Sequence, residues 1–273
     1  MIDVGTGSLI MERSSERAPG AIRKPAGAIP KPAILMKTSN NSGSPTASEK
    51  SGDGTGGGVS ALAGRVRVKI CGITSRADAL AAVSAGADAL GFNTWEGSKR
   101  HMDIFNAGEW MKDLPAFVSR VALCINKPLD DALAIARLPW VDALQFHGDE
   151  SPEYCEEFSK TGLPFIRAVR LGGVADLKRL DRWSTSSVLV DAAVAGAYGG
   201  TGSMADLALA RQAVDRFPQL SIILAGGLTP ANVGEAAATV QPYGVDVASG
   251  VEDEPARKSV ELMRAFVQGV RGA

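Results

Sequence analysis

From residue 65 onward the chain repeats one pattern: a short apolar or β-branched run, a polar or glycine stop, then a stretch with helical spacing. Val66-Arg67-Val68-Lys69-Ile70 alternates and stops at Cys71-Gly72. Thr74 or Ser75 can cap a helix through Ala85, and Gly86 marks its end. Further strands are predicted at 87–93, 117–125, 141–147, 165–170, 188–192, 221–225 and 245–249. Helical stretches fall between and after them, at 103–114, 129–137, 152–161, 174–183, 206–217, 230–240 and 255–270. Several strands, such as Ser221-Ile222-Ile223-Leu224-Ala225, are apolar on both faces, as parallel strands covered by helices must be.

Eight strand–helix units in 66–273 are enough to close a (β/α)8 TIM barrel. An open doubly wound sheet competes, but it would carry a glycine fingerprint after its first strand. Here the glycines cluster after the last three strands, and the barrel is the expected fold. Chemistry in such barrels sits at the carboxyl ends of the strands.

The first 64 residues break this pattern. They hold 11 Gly, 9 Ser and 5 Pro, and no aromatic residue precedes Phe92. Runs such as Gly52-Asp53-Gly54-Thr55-Gly56-Gly57-Gly58 lose more backbone entropy on ordering than their contacts return. Residues 1–64 are therefore read as a low-complexity, disordered extension and 65–273 as the barrel domain. An organelle transit peptide and a start codon placed too far upstream, with Met36 as the internal alternative, are the competing readings.

Composition narrows the function classes. The 29 Lys+Arg and 30 Asp+Glu nearly cancel, which argues against nucleic-acid or anionic-membrane partners. No run approaches the length of a membrane span. Three cysteines and two histidines without ligand spacing suggest neither a disulfide scaffold nor a metal site, and point to the reducing cytoplasm.

The strand ends present Lys69 and Cys71, Asn93, Asn126, His147-Gly148-Asp149, Arg170, Asp191, Gly226-Gly227 and Ser249-Gly250. The last two pairs follow strands seven and eight, where barrels bind phosphate through backbone N–H groups. Cys71 and Asp191 stand on roughly opposite strands and form an acid–base-capable pair, although a strand-end cysteine is more often a buried apolar residue. Cys124 and Cys155 read as core. His147 reads as a hydrogen-bonded structural imidazole and His101 as solvated; Arg100 either pairs with a carboxylate or faces water.

Five motifs in register then carry a resemblance: Lys69-Ile70-Cys71-Gly72-Ile73-Thr74; Gln145-Phe146-His147-Gly148-Asp149-Glu150; Asp191 with Tyr198-Gly199-Gly200-Thr201-Gly202; Leu224-Ala225-Gly226-Gly227-Leu228; and Gly244 through Glu252. Residues 66–271 resemble phosphoribosylanthranilate isomerase. The resemblance implies an Amadori rearrangement in tryptophan biosynthesis, without metal or organic cofactor. The substrate would be a small phosphorylated molecule, N-(5-phosphoribosyl)anthranilate, and the enzyme a monomer or homodimer. It implies Cys71 as general base, Asp191 as general acid, Arg100 on the anthranilate carboxylate, and Gly226, Gly227, Ser249 and Gly250 around the phosphate. Thiolate formation at Cys71 needs a cation or dipole nearby, for which Lys69 and Arg100 are candidates.

Two stretches depart from the family pattern. Phe92 through His101 keeps Ser98 and Arg100 but lacks the usual proline and tyrosine, and Ser203-Met204-Ala205-Asp206-Leu207 keeps only its aspartate. Both changes concern the aromatic side of the pocket. A sister isomerase of histidine biosynthesis and a non-catalytic sugar-phosphate-binding paralogue are the alternative readings. The former resembles a two-aspartate site, against which Cys71 speaks.

Overall fold

The computed structural model describes residues 64–192 and 207–273. Eight parallel strands follow one another around a closed ring: β1 (Arg67–Cys71), β2 (Ala89–Asn93), β3 (Ser119–Cys124), β4 (Ala143–Phe146), β5 (Phe165–Leu171), β6 (Ser187–Ala192), β7 (Ser221–Leu224) and β8 (Gly244–Val247). β8 pairs back onto β1, with Lys69 opposite Asp246 and Ile70 opposite Val247. The helices are α1 (Arg76–Ala85), α2 (Gly108–Met111), α3 (Leu129–Ala136), α4 (Pro152–Ser159), α5 (Val174–Leu177), α6 (Leu207–Arg216), α7 (Val233–Val240) and α8 (Val260–Arg271). This is the (β/α)8 barrel that the alternation predicts. The extension at 1–63 lies outside the described residues, as does 193–206 with the Tyr198–Gly202 motif.

Strand alternation sorts the core into layers. Val68, Ile70, Leu90, Ala122, Cys124, Leu144 and Phe146 belong to the large cluster between strands and helices. Their neighbours face inward, where Ala168, Leu189, Ile223 and Ala225 form one small cluster and Cys71, Leu123 and Ile125 another nearer the strand ends. On α8, Met263, Phe266, Val267 and Val270 recur at helical spacing and are buried, while Ser259 caps the first turn by accepting from Leu262 N. Phe146 meets Phe158 edge-on at 5.0 Å and Tyr154 at 5.3 Å. Each such pair adds about 0.5–1.5 kcal/mol beyond area burial.

Three helical stretches differ from the sequence reading. The helix predicted at 103–114 shrinks to α2, because Asp103 Oδ1 accepts from the N–H groups of Phe105 and Asn106 and turns the chain locally. The stretch at 174–183 is helical only over α5. It then tightens into i+3 turns (Arg179 N to Asp176 O, 3.1 Å; Leu180 N to Leu177 O, 3.2 Å) that align Leu177 and Leu180 on the core. The helix predicted from 255 begins at Val260. Ahead of it lie a 3-10 turn, Ser249–Val251, and a two-stranded ribbon, β9 (Glu252–Glu254) against β10 (Arg257–Lys258).

Candidate active site

At the carboxyl ends of the strands one cavity is lined by Cys71 from β1, Asp191 from β6, His147 after β4, and Arg100, Trp95 and Ser98 from the loop after β2. Gly226, Gly227, Ser249 and Gly250 close its other side. The seven residues to which the resemblance assigns a role thus border a single space, whereas the strand-end residues Lys69, Asn126, Asp149 and Arg170 do not line it. Cys71 and Asp191 are 7% and 9% exposed, covered by the barrel yet open to the cavity.

The glycines are there for space and backbone shape. Gly226 and Gly227 adopt φ of +93° and +65°, where other side chains are strained. Gly250 runs so close to Leu228 that a Cβ would strike its carbonyl oxygen. The turn bearing Gly250 is held from below by Lys258, whose buried ammonium donates to Ala248 O at 2.8 Å.

Lys258 also binds Glu252 Oε1 at 2.7 Å, and Glu252 takes Arg100 in a fork, Nε to Oε1 and Nη2 to Oε2, each 2.7 Å. Arg100 is therefore neither water-facing nor waiting unpaired for a substrate carboxylate. Its guanidinium is half-buried and anchored through two N–H groups, which leaves Nη1 outside the fork, and the residue borders the cavity. Burial opposes ionisation of Glu252, but hydrogen bonds and charge from Arg100 and Lys258 outweigh it and hold the carboxyl below the usual glutamate range.

His147 is hydrogen-bonded, as the sequence reading has it, and it also borders the cavity. Gln145 Nε2 lies 2.8 Å from its Nδ1, and its Nε2 lies 3.4 Å from Asp191 Oδ2. With the amide donating, Nδ1 accepts and Nε2 is the ring nitrogen that faces the carboxyl group. The rest of that motif is structural. Glu150 accepts from Asn126 N and Gly148 N and pairs with buried Arg167 at 3.1 Å, pinning the loop after β4 to the end of β3. His101 is exposed in the loop after β2, as predicted.

Burial pushes the Cys71 thiol up, with Lys69 acting against it. Cys124 and Cys155, pushed up to about 12 and about 11, lie in the core as expected, and none of the three cysteines is bridged. Asp246, Glu252 and Lys258 escaped the sequence reading. Their signal was a charged residue inside an otherwise apolar strand (Val245-Asp246-Val247) or a motif end, which has no meaning until a partner is placed beside it.

A sequence model of the family described as N-(5'-phosphoribosyl)anthranilate (PRA) isomerase matches residues 68–269. The N-(5'-phosphoribosyl)anthranilate isomerase of Magnetococcus marinus is 46% identical over 208 residues, 76% of this chain and 96% of that protein. The chain belongs to this family. Among solved structures, the phosphoribosylanthranilate isomerase of Thermotoga maritima superposes with a TM-score of 0.70 at 35% identity, covering 76% of this chain and all (100%) of that one. A phosphoribosylanthranilate isomerase solved in complex with reduced 1-(o-carboxyphenylamino)-1-deoxyribulose 5-phosphate gives 0.67 at 35% identity, covering 76% of this chain and 100% of that one. Membership makes the chain an isomerase of tryptophan biosynthesis on a TIM barrel. No helix among the described residues is long and apolar enough to cross a membrane.

Proposed function

We propose that this phosphoribosylanthranilate isomerase works with Cys71 as general base and Asp191 as general acid on N-(5-phosphoribosyl)anthranilate. The observation that carries the reading is that both side chains line the cavity that Gly226, Gly227, Ser249 and Gly250 also border. Protonated Asp191, flanked by His147, gives its proton to the ribose ring oxygen as the C1–O bond breaks. The resulting iminium carbon acidifies C2. Cys71 as thiolate removes that proton, and the enamine tautomerises to 1-(2-carboxyphenylamino)-1-deoxyribulose 5-phosphate. Atoms balance without redox partner, metal or organic cofactor.

The glycine turns hold the phosphate, and Arg100 meets the anthranilate carboxylate with the N–H groups that Glu252 leaves over. The nearly balanced charge, 29 Lys+Arg against 30 Asp+Glu, supports a cytoplasmic monomer or homodimer acting on a small phosphorylated substrate rather than on nucleic acid or a membrane. Residues 65–273 form the catalytic unit and 1–64 an accessory extension. Purified full-length protein, dialysed against EDTA, is expected to consume fluorescent phosphoribosylanthranilate to completion. Absence of turnover overturns the reading.

A further inference from the structure

Among its buried charged pairs the barrel holds one on its inner wall, beside Cys71, that takes no step in the chemistry above. Lys69 in β1 and Asp246 in β8 are ladder partners, with Nζ and Oδ1 2.7 Å apart. They are 4% and 8% exposed. Taking two charges out of water is costly, and apolar residues of equal volume often give an equally stable fold. Stability is therefore a weak reason for the pair to exist, and its position suggests a better one.

Lys69 and Cys71 are two residues apart on one strand, so both side chains project to the inside of the barrel. Opposite Cys71 stands Gly91 of β2. A Cβ on Gly91 would lie 2.6 Å from Cys71 Sγ and 3.0 Å from Lys69 Nζ. Thiol and ammonium can thus be no farther apart than those two distances combined, and they share the space that a side chain at position 91 would fill.

We propose that Lys69 is a positioning residue that holds the Cys71 thiolate by its charge, and that Asp246 fixes the ammonium in place for this purpose. The proposal rests on Cys71 being the base. Other charged groups around the thiol do not replace Lys69. Lys258 on β10 is a second, lesser cation, and it is tied to Glu252 and Ala248 O. Arg100, from the loop after β2, is forked onto Glu252. Asp246 acts with burial against the thiolate, and His147 and Asp191 face Cys71 across the cavity. Burial works against the Lys69 ammonium, yet Asp246 and Cys71 together hold it above the ordinary lysine range.

The test reads the thiol directly. Alkylation of Cys71 by iodoacetamide is followed across pH by mass spectrometry of its peptide, in the full-length wild type and three variants. Lys69→Gln keeps a hydrogen bond toward Asp246 but removes the charge. Lys69→Met/Asp246→Leu removes both charges and leaves no lone buried carboxylate. Lys69→Arg keeps the charge. The first two are expected to alkylate roughly tenfold more slowly at neutral pH, with the midpoint moved up by about one unit. Lys69→Arg stays near wild type, and the acid limb of kcat/KM moves with the alkylation midpoint. Superimposable alkylation profiles for wild type and the uncharged variants would overturn the proposal. No substrate takes part in alkylation, so a protein inert toward phosphoribosylanthranilate sinks the isomerase reading without deciding this one.

Discussion

Arg100 and Glu252 are joined fork to fork, Nε on Oε1 and Nη2 on Oε2, each at 2.7 Å. This contact links the loop after β2 to the ribbon after β8 directly beside Cys71. The ribbon is tied in turn to the loop after β1, where Thr74 Oγ1 donates to Ala256 O at 3.1 Å. Arg100 and Lys258 outnumber Glu252 by one charge, so the cluster still attracts an anion.

Glu252→Gln should release Arg100 from its fixed orientation. The expected result is a KM for phosphoribosylanthranilate raised roughly tenfold, about 1.4 kcal/mol of binding, with kcat changed far less. Steady-state kinetics check this. A fall in KM would mean instead that Glu252 competes with the substrate for the guanidinium.

The same carboxylate carries a pH dependence. Its pKa in the folded protein is below the ordinary glutamate value, so its contribution to stability is present above about pH 4.3, the unfolded value. That contribution is lost as pH falls through the folded value. Urea midpoints measured from pH 6 downward (roughly the range of carboxyl titration) should fall more steeply in wild type than in Glu252→Gln. Parallel curves would remove Glu252 from the acid response.

Cys71→Ser should lower kcat by about two to four orders of magnitude, because a serine hydroxyl, unlike a thiol, does not ionise near neutral pH and so supplies no anion to take the C2 proton. Asp191→Asn should do likewise, since an amide has no proton to give. Both variants should keep the circular dichroism and melting temperature of wild type. Turnover near wild type in either one would move that role to another residue.

Glu150→Gln leaves the Arg167 guanidinium, buried among backbone carbonyls, without its carboxylate. Unfolding in urea should reveal a loss of about 3–5 kcal/mol. A loss below about 1 kcal/mol would show that the carbonyls of Phe146 and Gly148 suffice for Arg167.

Deleting residues 1–60 should leave turnover and melting temperature close to those of the full chain, as expected for a terminal segment whose composition is rich in Gly, Ser and Pro and poor in core-forming residues. Marked destabilisation would show that the extension packs on the barrel.

Much of this protein was legible as a string. A strand needs only its own period and its stops, so β1, β3 and β7 lie within a residue or two of their predicted positions, and Ser75 caps α1 as one of two candidates. Cys71, Asp191 and the glycine pairs were visible because they interrupt apolar runs at the ends that a barrel exposes to solvent. Turns that depend on a single side chain were not, such as the one Asp103 makes ahead of α2.

What the sequence alone determined was periodicity, and with it the number of strand–helix units and the residue types at their ends. Closure of the ring decided the rest. Residue 69 meets residue 246, and residue 100 meets residue 252, only because β8 returns to pair with β1. A charge in an apolar strand is merely unfavourable until its partner arrives from the far end of the chain. That arrival is a property of three-dimensional packing, which no local pattern encodes.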